Sequence, residues 1–104
     1  MVIARVWKGR VRPEQADAYL AYLKETGLPH CRDTPGNRGV SILCRIADGA
    51  AEFVFTSRWD SWDAIRAFAG PDPAQAVYYP EDRAFLLELD PHVRHFEVLV
   101  DENA

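Results

Sequence analysis

The sequence predicts a single α+β domain with four antiparallel strands and two main helices, in the order β-α-β-β-α-(α)-β. Three observations predict it. Apolar residues alternate with period two in four segments, two intervening stretches repeat at helical spacing, and Asp48-Gly49 separates the two central alternating runs. A central hairpin flanked by two crossovers is the split βαβ order of ferredoxin-like βαββαβ folds, which puts both helices on one face of the sheet.

From Val2 to Arg10 the first strand carries Val2, Ala4 and Val6 on one side and Ile3, Arg5 and Trp7 on the other. Pro13 suits a first helical position, with Glu14 favouring the positive end of the helix dipole. Ala16, Tyr19, Leu20 and Leu23 then recur at helical spacing up to Gly27, which suits a left-handed stop. Pro29, Pro35, Gly36 and Asn37 make the stretch from Gly27 to Gly39 a loop. Val40, Ile42, Cys44 and Ile46 share one face of the second strand. Past the Asp48-Gly49 turn, Phe53, Phe55, Ser57 and Trp59 share a face of the third, opposite Val54, Thr56 and Arg58. Asp60 is a candidate N-cap with Asp63 three positions on, ahead of a buried stripe of Trp62, Ile65, Phe68 and Ala69 that Gly70 ends. A short helix is expected from Asp72-Pro73 to Pro80, one or two further turns through Phe85, Leu86 and Leu89, and a last strand from His92 to Val100.

With both helices on one face, the other has no cover from this chain. Trp7, Trp59 and one set of the Phe53 and Phe55 side chains are expected there, too apolar for water. A second copy is the simplest cover, which gives a two-fold homodimer.

The 104 residues fit one domain, taken here as 1–104, and are enough for one core. The N-terminus lacks a basic region followed by an apolar run, and no stretch approaches the ~20 apolar residues of a membrane span, so a cytoplasmic protein is expected. Net charge is −4 with the basic residues scattered, which argues against nucleic acid as a partner. Cys31 and Cys44 match neither a redox nor a zinc spacing and read as reduced, structural thiols.

Arg5 is the most suggestive polar residue. A cation pointing from a strand into an enclosed space needs an anionic partner, either a carboxylate of the chain such as Glu97 or one on a ligand. Trp7 and Trp59 suit stacking on a flat ring, or equally a core or an interface. Tyr78 and Tyr79 bring phenols ahead of Pro80. His92 and His95, three apart on a strand, point to opposite faces and cannot share a metal ion; one of them can enter a pocket as a proton acceptor. His30-Cys31 are adjacent with no third orienting group, so they do not read as nucleophile and base. Gly36-Asn37-Arg38-Gly39 is followed by no helix and is a turn, not a phosphate loop.

From Ile3-Ala4-Arg5-Val6-Trp7 to His95-Phe96-Glu97-Val98, and most specifically in Ser57-Arg58-Trp59-Asp60-Ser61-Trp62-Asp63-Ala64-Ile65, the sequence resembles the antibiotic biosynthesis monooxygenase domain family of the dimeric α+β barrel superfamily. That barrel hosts several chemistries, so fold does not fix function. The resemblance implies a homodimer acting as a cofactor-independent monooxygenase on a small planar aromatic or quinol-type molecule. The alternative is a non-catalytic homodimer that binds a small ligand or serves a structural role. By position it implies a catalytic set of Arg5, Trp59, Tyr79 and His95, with Trp7, Phe55 and Tyr78 binding the substrate, and no metal or other cofactor. The haem-degrading branch carries an asparagine on the first strand and a histidine in the helix after the tryptophan. Here Trp7 and Ala76-Val77-Tyr78-Tyr79 stand in those places, so haem cleavage is not expected.

Overall fold

Asp48 and Gly49 take left-handed φ of 54° and 74° and close a two-residue turn between the paired residues Ala47 and Ala50. This turn joins β2 (Asn37–Ala47) to β3 (Ala50–Trp59). The computed structural model describes residues 1–102. Before the hairpin come β1 (Ile3–Val11), a 3-10 turn (Pro13–Gln15), α1 (Ala16–Glu25) and α2 (Gly27–Arg32); after it come α3 (Trp62–Ala69), α4 (Asp82–Phe85) and β4 (Arg94–Glu97). The four strands form one antiparallel sheet in the order β2-β3-β1-β4, the ferredoxin-like arrangement. Among the described residues no helix is long and apolar enough to cross a membrane.

The β1–β3 ladder pairs Ile3 with Trp59, Arg5 with Ser57 and Trp7 with Phe55, so these side chains share one face as expected. That face lies under the helices. The placing of Trp7, Trp59 and Phe53 or Phe55 on the uncovered face is therefore corrected. Both sides of β1 are apolar, and alternation says which residues share a side without saying which side the helices cover. The uncovered face carries Ala4, Val6, Val54 and Thr56, with Leu43 and Phe96 each 55% exposed.

The core is divided. One cluster gathers Val11, Tyr19, Tyr22, Leu23, Phe53 and Leu86 under α1; the other gathers Ile3, Cys31, Trp59 and Ile65 under α2 and α3. Arg5 and Trp7 lie on β1 between the two.

Several local expectations change. Gly27 is buried and opens α2, where a loop is expected, because α1 ends at Thr26 and the chain turns at once into a second helix. The Thr26 hydroxyl donates to the Tyr22 carbonyl at 2.8 Å and helps close α1. Ser61, not Asp60, caps α3: its hydroxyl accepts from the Ala64 amide at 3.1 Å. Trp62, expected in the buried stripe, is 37% exposed. Residues 71–80 form no helix. The segment runs as an irregular strap, with the carbonyls of Pro73 and Gln75 taken by Arg5 and its backbone held by Ala76 N–H to Pro91 O and Val93 N–H to Ala74 O. Past the strap, α4 is a single turn, and the last strand is Arg94–Glu97, shorter than His92 to Val100 because it pairs only with Ile3–Val6. Cys31 and Cys44 are free thiols as expected, but Cys44 is exposed and belongs to neither core cluster.

Candidate functional site

A cavity of about 50 Å³ opens between the two core clusters. Its floor is the sheet: Arg5 and Trp7 from β1, Phe55 and Ser57 from β3. Cys31 of α2 and Tyr19 and Leu23 of α1 form one wall, and Phe68 of α3 with Val77, Tyr78 and Tyr79 of the strap close it over. Space of this size holds a few waters. A planar aromatic molecule enters only if side chains or the strap move.

Arg5 is 4% exposed, yet no carboxylate bonds to it among the described residues. Glu97, one of the two kinds of partner the sequence allows, does not pair with it. Nη1 donates to the carbonyl of Pro73 and meets His95 Nε2 at 3.0 Å, Nη2 donates to the carbonyl of Gln75 at 2.7 Å, and the guanidinium lies 5.6 Å from the centre of the Phe68 ring. Burial lowers the guanidinium pKa from its ordinary value, offset only by the Cys31 thiol and the Tyr79 phenol.

Trp7 bends along its own strand. A Cβ on Gly9 would meet Cη2 of the Trp7 indole at 2.2 Å, so only glycine two residues on lets the ring lie flat over β1. Its Nε1–H donates to the Tyr78 hydroxyl at 3.3 Å, and that hydroxyl donates to the Asp90 carbonyl. Tyr79 reaches the surface: its hydroxyl and His30 Nδ1 are 2.6 Å apart, and the His30 ring packs against Phe68 at 4.5 Å, tilted by 52°. Burial, then Cys31, raises the Tyr79 pKa, so the phenol stays protonated at neutral pH. The Tyr79 amide donates to Asp82 Oδ2 at 2.7 Å, and Oδ1 of the same buried carboxylate accepts from Tyr19 at 2.9 Å.

Of the residues expected in a site, Arg5, Trp7, Phe55, Tyr78 and Tyr79 come together around the cavity, and His95 joins through its bond to Arg5. Trp59 does not. It has no exposed surface, donates from Nε1 to Ser57 Oγ at 2.9 Å and packs on Phe68, which places it behind the lining. His92 is exposed and bridges Gln75 through its backbone. Sequence reasoning left Ser57 and Phe68 out of the site and weighed His30 and Cys31 only as a nucleophile and base, a role it set aside. Phe68 carries a signal, the helical stripe; His30 and Cys31 carry none, because a loop assignment hid the helix that aims Cys31 inward. Among the described residues no group of three His, Cys, Asp or Glu is placed to hold a metal.

The family model for antibiotic biosynthesis monooxygenases matches residues 1–78. The chain belongs to the antibiotic biosynthesis monooxygenase family. It is similar in structure to a candidate antibiotic biosynthesis monooxygenase of Bacillus cereus, with a TM-score of 0.68, 16% identity and 99% and 98% of the two chains covered. It is similar to Rv0793 of Mycobacterium tuberculosis, with 0.61, 24% and all of both chains. It is similar as well to the haem degrader MhuD of the same organism, with two haems in its active site, at 0.60, 20%, and 97% and 99% covered. At these identities the likeness is one of fold. No curated protein sequence matches.

Proposed function

We propose that this protein is a homodimeric, cofactor-independent monooxygenase for a small planar aromatic or quinol-type molecule. The observation that carries the reading is Arg5, a buried cation with only neutral acceptors beside an aromatic-lined cavity. In the mechanism a substrate hydroxyl or activated ring C–H loses its proton, and the electron-rich ring reacts directly with oxygen. One oxygen atom enters the ring and the other leaves as water, the substrate supplying all the electrons. Arg5 stabilises the anion, and the Tyr79–His30 pair carries the proton towards solvent. Oxygen uptake with anthrone or a dihydroxynaphthalene tests it. Uptake is expected with the wild type and should fall roughly a hundredfold in Arg5→Gln; no uptake with any such substrate defeats the reading.

The apolar sheet face with Leu43 and Phe96 half exposed supports a second copy as its cover. Sedimentation at micromolar concentration should give twice 11.8 kDa, and a stable monomer would remove the dimer.

The relatives of this fold include a haem degrader, so haem stays a rival ligand. This chain's residues disfavour it: among the described residues no histidine lines the cavity, and the Tyr78 and Tyr79 hydroxyls are engaged elsewhere. Titration with haemin should give weak, non-stoichiometric binding; a sharp one-to-one Soret shift reverses this judgement. The cavity is too small at rest for a ring, which leaves a second reading, a non-catalytic small-ligand-binding or structural homodimer, for which no oxygen uptake is expected.

A further inference from the structure

The Arg5 guanidinium has five N–H donors. Two from Nη1 meet Pro73 O and His95 Nε2, and one from Nη2 meets Gln75 O. Nε–H and one Nη2 hydrogen have no acceptor among the described residues, although Arg5 lines the cavity. The acceptors that are present are neutral. The buried carboxylate of the cavity wall, Asp82, is already committed to Tyr19 and to the Tyr79 amide.

The carbonyls that Arg5 holds both belong to the strap. At its far end the strap is fixed by Tyr79 N–H on Asp82 and by the Tyr78 hydroxyl on Asp90. Its near end, Pro73 to Gln75, belongs to no helix or strand and hangs from Arg5 and two backbone hydrogen bonds to residues 91–93. The floor is part of the sheet, with β1 paired along its length to β3 and at its start to β4. The strap is the wall that can give way.

We infer that the cavity takes a planar aromatic molecule bearing an oxyanion, which enters by replacing the carbonyls of Pro73 and Gln75 on Arg5. The inference rests on the reading of this cavity as the substrate site and narrows its ligand. An oxyanion adds the attraction of opposite charges, inside a site of low dielectric, to bonds that a carbonyl makes to the guanidinium only as a dipole, and a carboxylate can take two of its N–H groups at once. An oxyanion therefore compensates for lifting the strap, while its ring packs among Trp7, Phe55 and Phe68. A neutral aromatic of the same shape displaces the same carbonyls and puts nothing better in their place.

The experiment compares 2-naphthoate with 2-naphthamide on the wild-type protein by calorimetry, with hydrogen exchange read on the Ala76 and Val93 amides. Naphthoate should bind at least tenfold more tightly and should speed exchange at both amides; naphthamide should do neither. 2,4-Dinitrophenolate, ionised at neutral pH, distinguishes the sources: a matching preference assigns any aromatic oxyanion, and binding of naphthoate alone assigns a carboxylate. His95→Glu, which gives Arg5 an internal carboxylate, should abolish the preference while the protein still unfolds cooperatively. Equal affinities for the acid and the amide, no binding of either, or unchanged exchange at saturation would overturn the inference. Oxygen plays no part in this measurement. A naphthoate preference without oxidation of any anthrone keeps the inference and removes the monooxygenase; oxidation without the preference does the reverse.

Discussion

His95 Nε2 lies 3.0 Å from Arg5 Nη1, and because a guanidinium can only donate, the imidazole must accept there and carry its proton on Nδ1. Trp62 stacks edge-on against the same ring at 5.0 Å and helps fix it. Burial first, and the Arg5 charge second, push the His95 pKa down to about 4.

A pH dependence follows. Unfolded, the imidazole takes up its proton near 6.5, so between about pH 4 and 6.5 the unfolded chain binds more protons than the folded one. The contribution is complete above the unfolded value and is lost on acidification towards the folded one. With the ring only partly buried it amounts to about 1 kcal/mol after solvent screening. His95→Gln keeps an acceptor for Arg5 without a titrating group. Urea melts at pH 6.5 and 4.5 should show the wild type losing more stability than the variant; equal losses would show that His95 does not titrate here.

Trp59 lies wholly buried behind the cavity lining, so its substitution is expected to act on stability before binding. Trp59→Ala should cost about 3–5 kcal/mol, whereas Trp7→Phe should cost under about 1.5 kcal/mol and weaken ligand binding. Denaturant melts and calorimetric titration of the same two variants check the division.

Gly9→Ala drives a methyl group into the Trp7 indole and to 2.9 Å from a Leu86 methyl. The ring must leave its place over β1, at a cost of about 1–3 kcal/mol. Loss of the hydrogen bond to Tyr78 should appear as a shifted tryptophan emission, with α1 and the sheet unchanged by circular dichroism.

The two cysteines should separate cleanly under alkylation. Cys44 is exposed on β2, whereas Cys31 is 1% exposed and its pKa is pushed up to about 11, chiefly by burial. At pH 8 iodoacetamide should label Cys44 first, with Cys31 modified only on unfolding, as peptide mass spectrometry would read.

Strand order, the hairpin turn and the meeting of Arg5 with Trp7 and Phe55 were legible because period-two patterning and a two-residue turn fix register locally. Which face the helices cover was not: Val2, Ala4 and Val6 are as apolar as Ile3 and Trp7. Ala74 to Tyr79 has no local bar to a helix, and the strap takes its shape from Arg5, some seventy residues away along the chain. Asp60 and Ser61 are equally good capping residues in sequence, and only the backbone geometry at Ser61 selects between them.

The split core has a consequence for how substitutions combine. Tyr19 and its neighbours share no packing partner with Trp59 and Ile65 except Phe55. Losses at the two ends should simply add: Leu23→Ala with Ile65→Ala should match the sum of the single changes to within about 0.5 kcal/mol. Phe55 is where that independence is weakest, because among the described residues it packs against both clusters at once.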